Sequence, residues 1–81
     1  MTNSDLNKLI ANRIKQLRKE ANLTLEQLAY QSDISKGGLS EIERNMKEPR
    51  IYTILRICAS LNITLKEFFS FDEIDEFINK I

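Results

Sequence analysis

The stretch DISKGGLSEIERN, Asp33 to Asn45, gathers the side chains whose types and spacing could do chemistry in this 81-residue chain. Lys36 offers an ammonium, Ser40 a hydroxyl and Arg44 a guanidinium, and both glycines, Gly37 and Gly38, stand between the first two. All three groups donate hydrogen bonds. They suit an acceptor-rich, anionic partner. Nucleophilic catalysis has little to work with, because the chain holds no histidine and a single cysteine, Cys58. That removes the usual general base, the Ser–His and Cys–His pairs, most zinc chemistry and any intramolecular disulfide. Neither an enzyme nor a cofactor or metal site is expected.

The residues around Gly37 and Gly38 all read as helix. A glycine in a helix interior costs about 1 kcal/mol relative to alanine, so two in succession need a reason. One reading is that another helix crosses too closely there for a side chain. The other is that bare backbone lets this helix settle deeper against a ligand.

Apolar residues recur at helical spacing throughout and strict alternation is absent, so the expected class is all-α. The first helix starts near Ser4 as its N-cap and runs to about Ala21, with Leu6, Leu9, Ile10, Ile14 and Leu17 inward. Arg13, Lys15, Arg18 and Lys19 crowd its second half, where cations suit the helix dipole; phosphate binding is the alternative. Thr24 caps the second helix, with Gln27 three residues on completing a capping box, and the helix reaches about Gln31. Asp33 tolerates a left-handed turn and Ser35 caps the third helix, Lys36 to about Arg44, which buries Leu39 and Ile42. A fourth helix spans about Tyr52 to Leu61 with Ile54, Leu55, Ile57 and Cys58 inward. Cys58 reads as core, with redox sensing as the lesser alternative. Thr64 caps a fifth helix, LKEFF. In residues 72–81, Ile74, Phe77, Ile78 and Ile81 share one face at i, i+3, i+4 and i+7.

Composition fits one small folded domain, with 42% hydrophobic and 30% charged residues. No apolar run is long enough to span a membrane. The first ten residues lack a basic segment followed by an apolar block, so a cytoplasmic protein is expected. Net charge is zero, but residues 1–50 carry nine Lys/Arg against seven Asp/Glu, and residues 51–81 carry three against five. The dipole is weak and compatible with a nucleic acid at one end.

Two short helices starting at Leu25 and Lys36, joined by a turn of about four residues, make a helix-turn-helix. Ala29 allows the close crossing and Ile34 plugs the turn. Lys36, Gly37, Ser40, Glu41 and Arg44 are left facing outward. The residues themselves go further. RIKQLRKEANLTLEQLAYQSDISKGGLSEIERN, a following proline, ILRICASLNITLKEFF and an acidic finish together resemble the Cro/CI-type (XRE-type) helix-turn-helix family, from about Ile10 to Phe69. The resemblance implies a compact five-helix lambda-repressor-like bundle over residues 1–71. It also implies a transcriptional regulator that binds the DNA major groove as a dimer.

By that resemblance Lys36, Gly37 and Ser40 approach base edges, with Lys36 suited to guanine O6 and N7. Thr24 and Ser35 meet phosphates at helix N-termini, joined by Asn45, Lys47 and Arg50; apart from the resemblance, outward-facing Arg44 joins the phosphate set, and Gln27 is expected to compensate for a contact missing at position 25. Arg18 and Glu43 match a structural salt bridge between the first and third helices. Leu25 stands where the family often has a phosphate-binding glutamine. Asp33 replaces the usual turn glycine and places a negative charge near DNA, and Gly37 and Gly38 replace larger side chains. Glu41 either faces solvent or accepts from cytosine N4.

Phe68, Phe69, Phe71, Ile74, Phe77, Ile78 and Ile81 form more apolar surface than a small bundle needs. They are expected to build a two-fold dimer interface, residues 72–81 serving as a dimerisation segment, and to set two recognition helices about 34 Å apart on a near-palindromic site. Packing of the last helix within one protomer is the alternative. The expected partners are double-stranded DNA and a second copy, with a regulatory protein partner beside them. The competing function is a protein-interaction module, an antitoxin or adaptor on a helix-turn-helix scaffold.

Overall fold

Three helices of the chain begin with a threonine followed, three residues later, by a side chain that can reach back to it. The computed structural model describes residues 2–81 and shows all three as capping boxes: Thr2 with Asp5, Thr24 with Gln27 and Thr64 with Glu67. The helices are α1 Asn3–Glu20, α2 Leu25–Gln31, α3 Lys36–Glu43, α4 Ile51–Leu61, α5 Leu65–Phe68 and α6 Asp72–Asn79. No strand occurs among the described residues. The expected Ser4 cap is corrected to Thr2, because Asp5 lies where its carboxylate can accept from the Thr2 backbone N–H at 2.8 Å. That hydrogen bond holds the Asp5 carboxyl below its ordinary range. The Glu67 carboxyl is lowered in the same way by the N–H of Thr64.

Four helices stop at a left-handed residue, and none of the four is glycine: Asn22, Asp33, Asn45 and Asn62 have φ of 58°, 55°, 58° and 55°. Short polar side chains bear this conformation better than others. In each case the next residue's N–H closes the helix end by donating to a carbonyl one turn back. Leu23 donates to Arg18 (3.1 Å), Ile34 to Ala29 (2.9 Å), Met46 to Glu41 (2.8 Å) and Ile63 to Cys58 (3.0 Å). These are Schellman ends. Leu23, Ile34 and Ile63 also pack against the core, so each stop fixes the direction of the next helix.

The core is built from Ile14, Leu28, Leu39, Ile57 and Phe68, all fully buried, with Ile10, Ala29, Ile42, Ile54 and Cys58 around them. Burial pushes the Cys58 thiol above its ordinary value. Leu55, expected inward, is exposed; at about 100° per residue it lies to one side of the stripe that Ile54, Ile57 and Cys58 define. Ser32, buried at the end of α2, donates to Ser60 on α4 at 2.9 Å.

The short α5 is held from α1. Arg13 Nε donates to the Phe68 carbonyl and Nη2 to that of Glu67, both at 2.7 Å, and the guanidinium lies 5.3 Å from the centre of the Phe71 ring. Phe69 packs edge-on against Phe68, centroids 5.0 Å apart. Phe68 and Phe77 are therefore not surface for a partner: one fills the core and the other is buried as α6 packs against α1. Their expected place in a dimer interface is corrected on that ground. Ile74, Phe69 and Phe71 are half-buried, Ile78 is exposed, and Ile81 lies beyond the last residue of α6 and is exposed. Among the described residues no helix is long and apolar enough to cross a membrane.

Candidate nucleic-acid interface

The corner between α2 and α3 is set by small and bent residues. Ala29 is buried where the helices cross, and Asp33 makes the left-handed turn. Arg56 of α4 reaches the turn from behind: its Nη1 donates to the Asp33 carbonyl at 2.9 Å and lies 3.8 Å from the Asp33 carboxylate. Tyr52 stacks under that guanidinium at 4.5 Å. The negative charge that Asp33 brings to the turn thus has a cation beside it.

Ser35 caps α3 through its Oγ, which accepts from the Gly38 N–H at 3.0 Å. The two glycines now separate. A Cβ on Gly38 would stand 2.8 Å from Ser35 Oγ, inside contact distance, so this glycine makes room for the cap of its own helix rather than for a crossing helix. A Cβ on Gly37 would meet nothing within 4 Å. Its bareness is not explained by packing.

The inner side of α3 is fixed by Leu39 and Ile42 in the core and by Glu43. Arg18 on α1 grips Glu43 in a fork, Nε to Oε2 at 2.8 Å and Nη2 to Oε1 at 3.0 Å, while Nη1 donates to the Leu23 carbonyl at 2.9 Å. Side-chain exposures of 13% and 4% place this pair inside the protein. Hydrogen bonding to Glu43 raises the Arg18 pKa above its ordinary value. The structural bridge implied by the family resemblance is present. It leaves neither residue free for DNA.

The outer side of α3 has no such restraints. Lys36 and Gly37 are exposed, as are Glu41 and Arg44, and Ser40 is half-exposed. Arg44 Nε folds back on Ser40 Oγ at 3.2 Å, and Lys36 Nζ lies 3.5 Å from Glu26 Oε2 on α2. A concavity beside the start of α3 is lined by Ser35, Gly38, Lys47, Glu48, Arg50 and Thr53, so the loop cations Lys47 and Arg50 flank the N-terminus of α3. On the other flank Thr24 and Gln27 stand at the exposed N-terminus of α2. The Gln27 carbonyl is engaged by the Thr24 N–H at 2.8 Å, which leaves its amide N–H groups for a phosphate. Asn45 departs from this group, since its amide donates toward the Ser4 carbonyl on α1 at 3.4 Å.

Three residues in and around the site carry interactions that the spacing of the sequence does not announce. Glu26, Arg13 and Arg56 each act on a partner in another element. Arg13 is counted among α1 cations by its helix position, but only the fold shows that it holds α5.

The helix-turn-helix family HTH_3 matches residues 14–68. The HTH-type transcriptional regulator SutR of Escherichia coli is 33% identical over 66 residues, which are 82% of this chain and 37% of SutR. The chain therefore spans well under half the length of that relative. A point variant of the restriction-modification controller protein C.Esp1396I superposes with a TM-score of 0.80 at 32% identity, over 90% of this chain and 91% of that one. The solved SinR protein/SinI protein complex matches with a TM-score of 0.69 at 30% identity, over 86% of this chain and 75% of that one.

Proposed function

The chain belongs to the XRE-type helix-turn-helix family, and from that premise we propose that it is a DNA-binding transcriptional regulator. In this reading α3 lies in the major groove of a near-palindromic operator that a homodimer spans. The observation that carries it is the contrast across α3: a back anchored by Arg18, Glu43, Leu39 and Ile42, and a front of Lys36, Gly37 and Ser40 with open space at Gly37. Lys36 and Ser40 read base edges. Thr24, Gln27, Ser35, Arg44, Lys47 and Arg50 contact phosphates, with Asn45 a lesser contributor because its amide turns to α1. Backbone N–H groups at the starts of α2 and α3 add to the phosphate contacts.

The second copy would meet apolar side chains that the protomer leaves uncovered: Ile51, Leu55 and Leu65 on α4 and α5, and Ile78 with Ile81 at the tail, together with the half-buried Phe69, Phe71 and Ile74. The same surface keeps a second reading in play, in which a protein partner occupies it. In the solved SinR protein/SinI protein complex a chain of related fold is paired with another protein.

Selection of bound duplexes from a randomised library, followed by anisotropy titrations at several salt concentrations, tests the reading. The expected result is an enriched inverted repeat with half-sites about 10 bp apart. A library that enriches nothing, with weak binding to every duplex, overturns it in favour of the protein-partner reading.

A further inference from the structure

We propose that Glu26 is a positioning residue for Lys36 and sets how sharply the protein separates its own site from other DNA. The inference rests on the DNA-binding reading above. Lys36 occupies the first position of α3, at the positive end of the helix dipole, where a cation is disfavoured. The first turn of α3 contains no acidic residue to offset it. Its neighbour Gly37 adds no side chain to restrain it. Among the described residues the carboxylate within ion-pair distance of Lys36 is that of Glu26, 3.5 Å away across the helix-turn-helix corner.

Glu26 itself lies in the first turn of α2, at a second helix N-terminus assigned to phosphate. Its side chain is 75% exposed, so the carboxylate faces the solvent that DNA would displace. It acts there in two ways. An ammonium has three N–H donors; one can stay on Glu26 while the others reach guanine O6 and N7. A phosphate, in contrast, must compete with the carboxylate for the same charge and is repelled by it. The pair therefore lowers binding to arbitrary duplex more than binding to the correct base pair. The surrounding surface makes this one charge count, because Glu41 is exposed on α3, Glu48 lines the concavity with Lys47 and Arg50, and the whole chain has zero net charge.

The test is Glu26→Gln, which keeps the shape and removes the charge, made alone and together with Lys36→Met. Binding is measured against the duplex selected by the wild-type protein and against an unrelated duplex, over a salt series. Thermal unfolding confirms that each variant is folded. Glu26→Gln is expected to tighten the unrelated duplex about two- to fivefold, the range of an exposed pair, and to steepen its salt slope by about 0.9, one phosphate contact. The selected duplex should change less, so the ratio narrows. In the Lys36→Met background Glu26→Gln should change both quantities much less, because only the direct repulsion between carboxylate and phosphate is left to relieve. An equal gain in that background, or no gain with Lys36 present, overturns the assignment while selective wild-type binding leaves the DNA reading standing. A wild-type protein that selects no sequence overturns both.

Discussion

The two sides of α3 are built on opposite terms. The inner side is tied at every turn: Leu39 and Ile42 are buried, and Glu43 is held in a fork by Arg18, which is itself anchored to the Leu23 carbonyl. The outer side has a lysine in one weak, exposed ion pair, a glycine with nothing near it and a hydroxyl touched by one arginine. A rigid back and an untied front together let a helix present side chains accurately without committing them beforehand. Pre-organisation lies in the backbone, and choice is left to the side chains.

Breaking the back should have the largest effect. Glu43→Ala leaves the Arg18 charge inside the protein without its partner and is expected to cost about 3–5 kcal/mol in urea unfolding, a large part of the stability of so small a domain. Replacing both partners, Arg18→Met with Glu43→Leu, should recover most of that loss. A double variant as unstable as the single one would show that the ion pair contributes more than the avoidance of a lone buried charge.

The next effect in size lies away from α3. Arg13→Ala removes charged donors from two α5 carbonyls and should cost about 2 kcal/mol in the same measurement. DNA selectivity per folded molecule should be unchanged. A shift in selectivity would mean that α5 communicates with the front of α3.

The front should respond in the reverse manner. Lys36→Ala is expected to leave unfolding within about 0.5 kcal/mol yet flatten sequence preference by about 1 kcal/mol, the lower end of a good base contact. Lys47→Ala should weaken all duplexes alike and reduce the salt slope by about one. Equal loss of preference in both variants would end the division between base-reading and phosphate-binding residues.

The smallest effects distinguish the glycines. Gly37→Ala should stabilise α3 by at most about 1 kcal/mol, whereas Gly38→Ala pushes on Ser35 Oγ and should forfeit about that much through the lost cap. Melting temperatures that move in the same direction would contradict the separate roles argued from the geometry.

Legibility in the sequence followed the distance over which each feature is decided. The caps at Thr24, Ser35 and Thr64 and the left-handed turn at Asp33 were readable because each is settled within a few residues. The Arg18–Glu43 bridge was accessible only through family resemblance, since its two residues are far apart in the chain. Arg13 on the Phe68 carbonyl, 55 residues away, had no local signal at all. Leu55 is exposed although its position suggests burial, because periodicity gives the centre of an apolar stripe more reliably than its edge. Residue type says that the Phe68 side chain wants burial, but not which molecule supplies it, and here the protomer's own core does. Asn22, Asn45 and Asn62 are inconspicuous as helix stops, because the glycine that commonly marks such a stop is absent from each.

Those left-handed corners also bear on timing. Each ends a helix through hydrogen bonds that span at most five residues, so the helices and their stops can form before distant pairs such as Arg13 and Phe68 meet. Helical chains dominated by local contacts fold in microseconds to milliseconds. Synthesis of these 81 residues at about 5–20 residues per second takes seconds. These residues can therefore fold as fast as they are made, and the fold adds no delay of its own between translation and a finished α2–α3 corner.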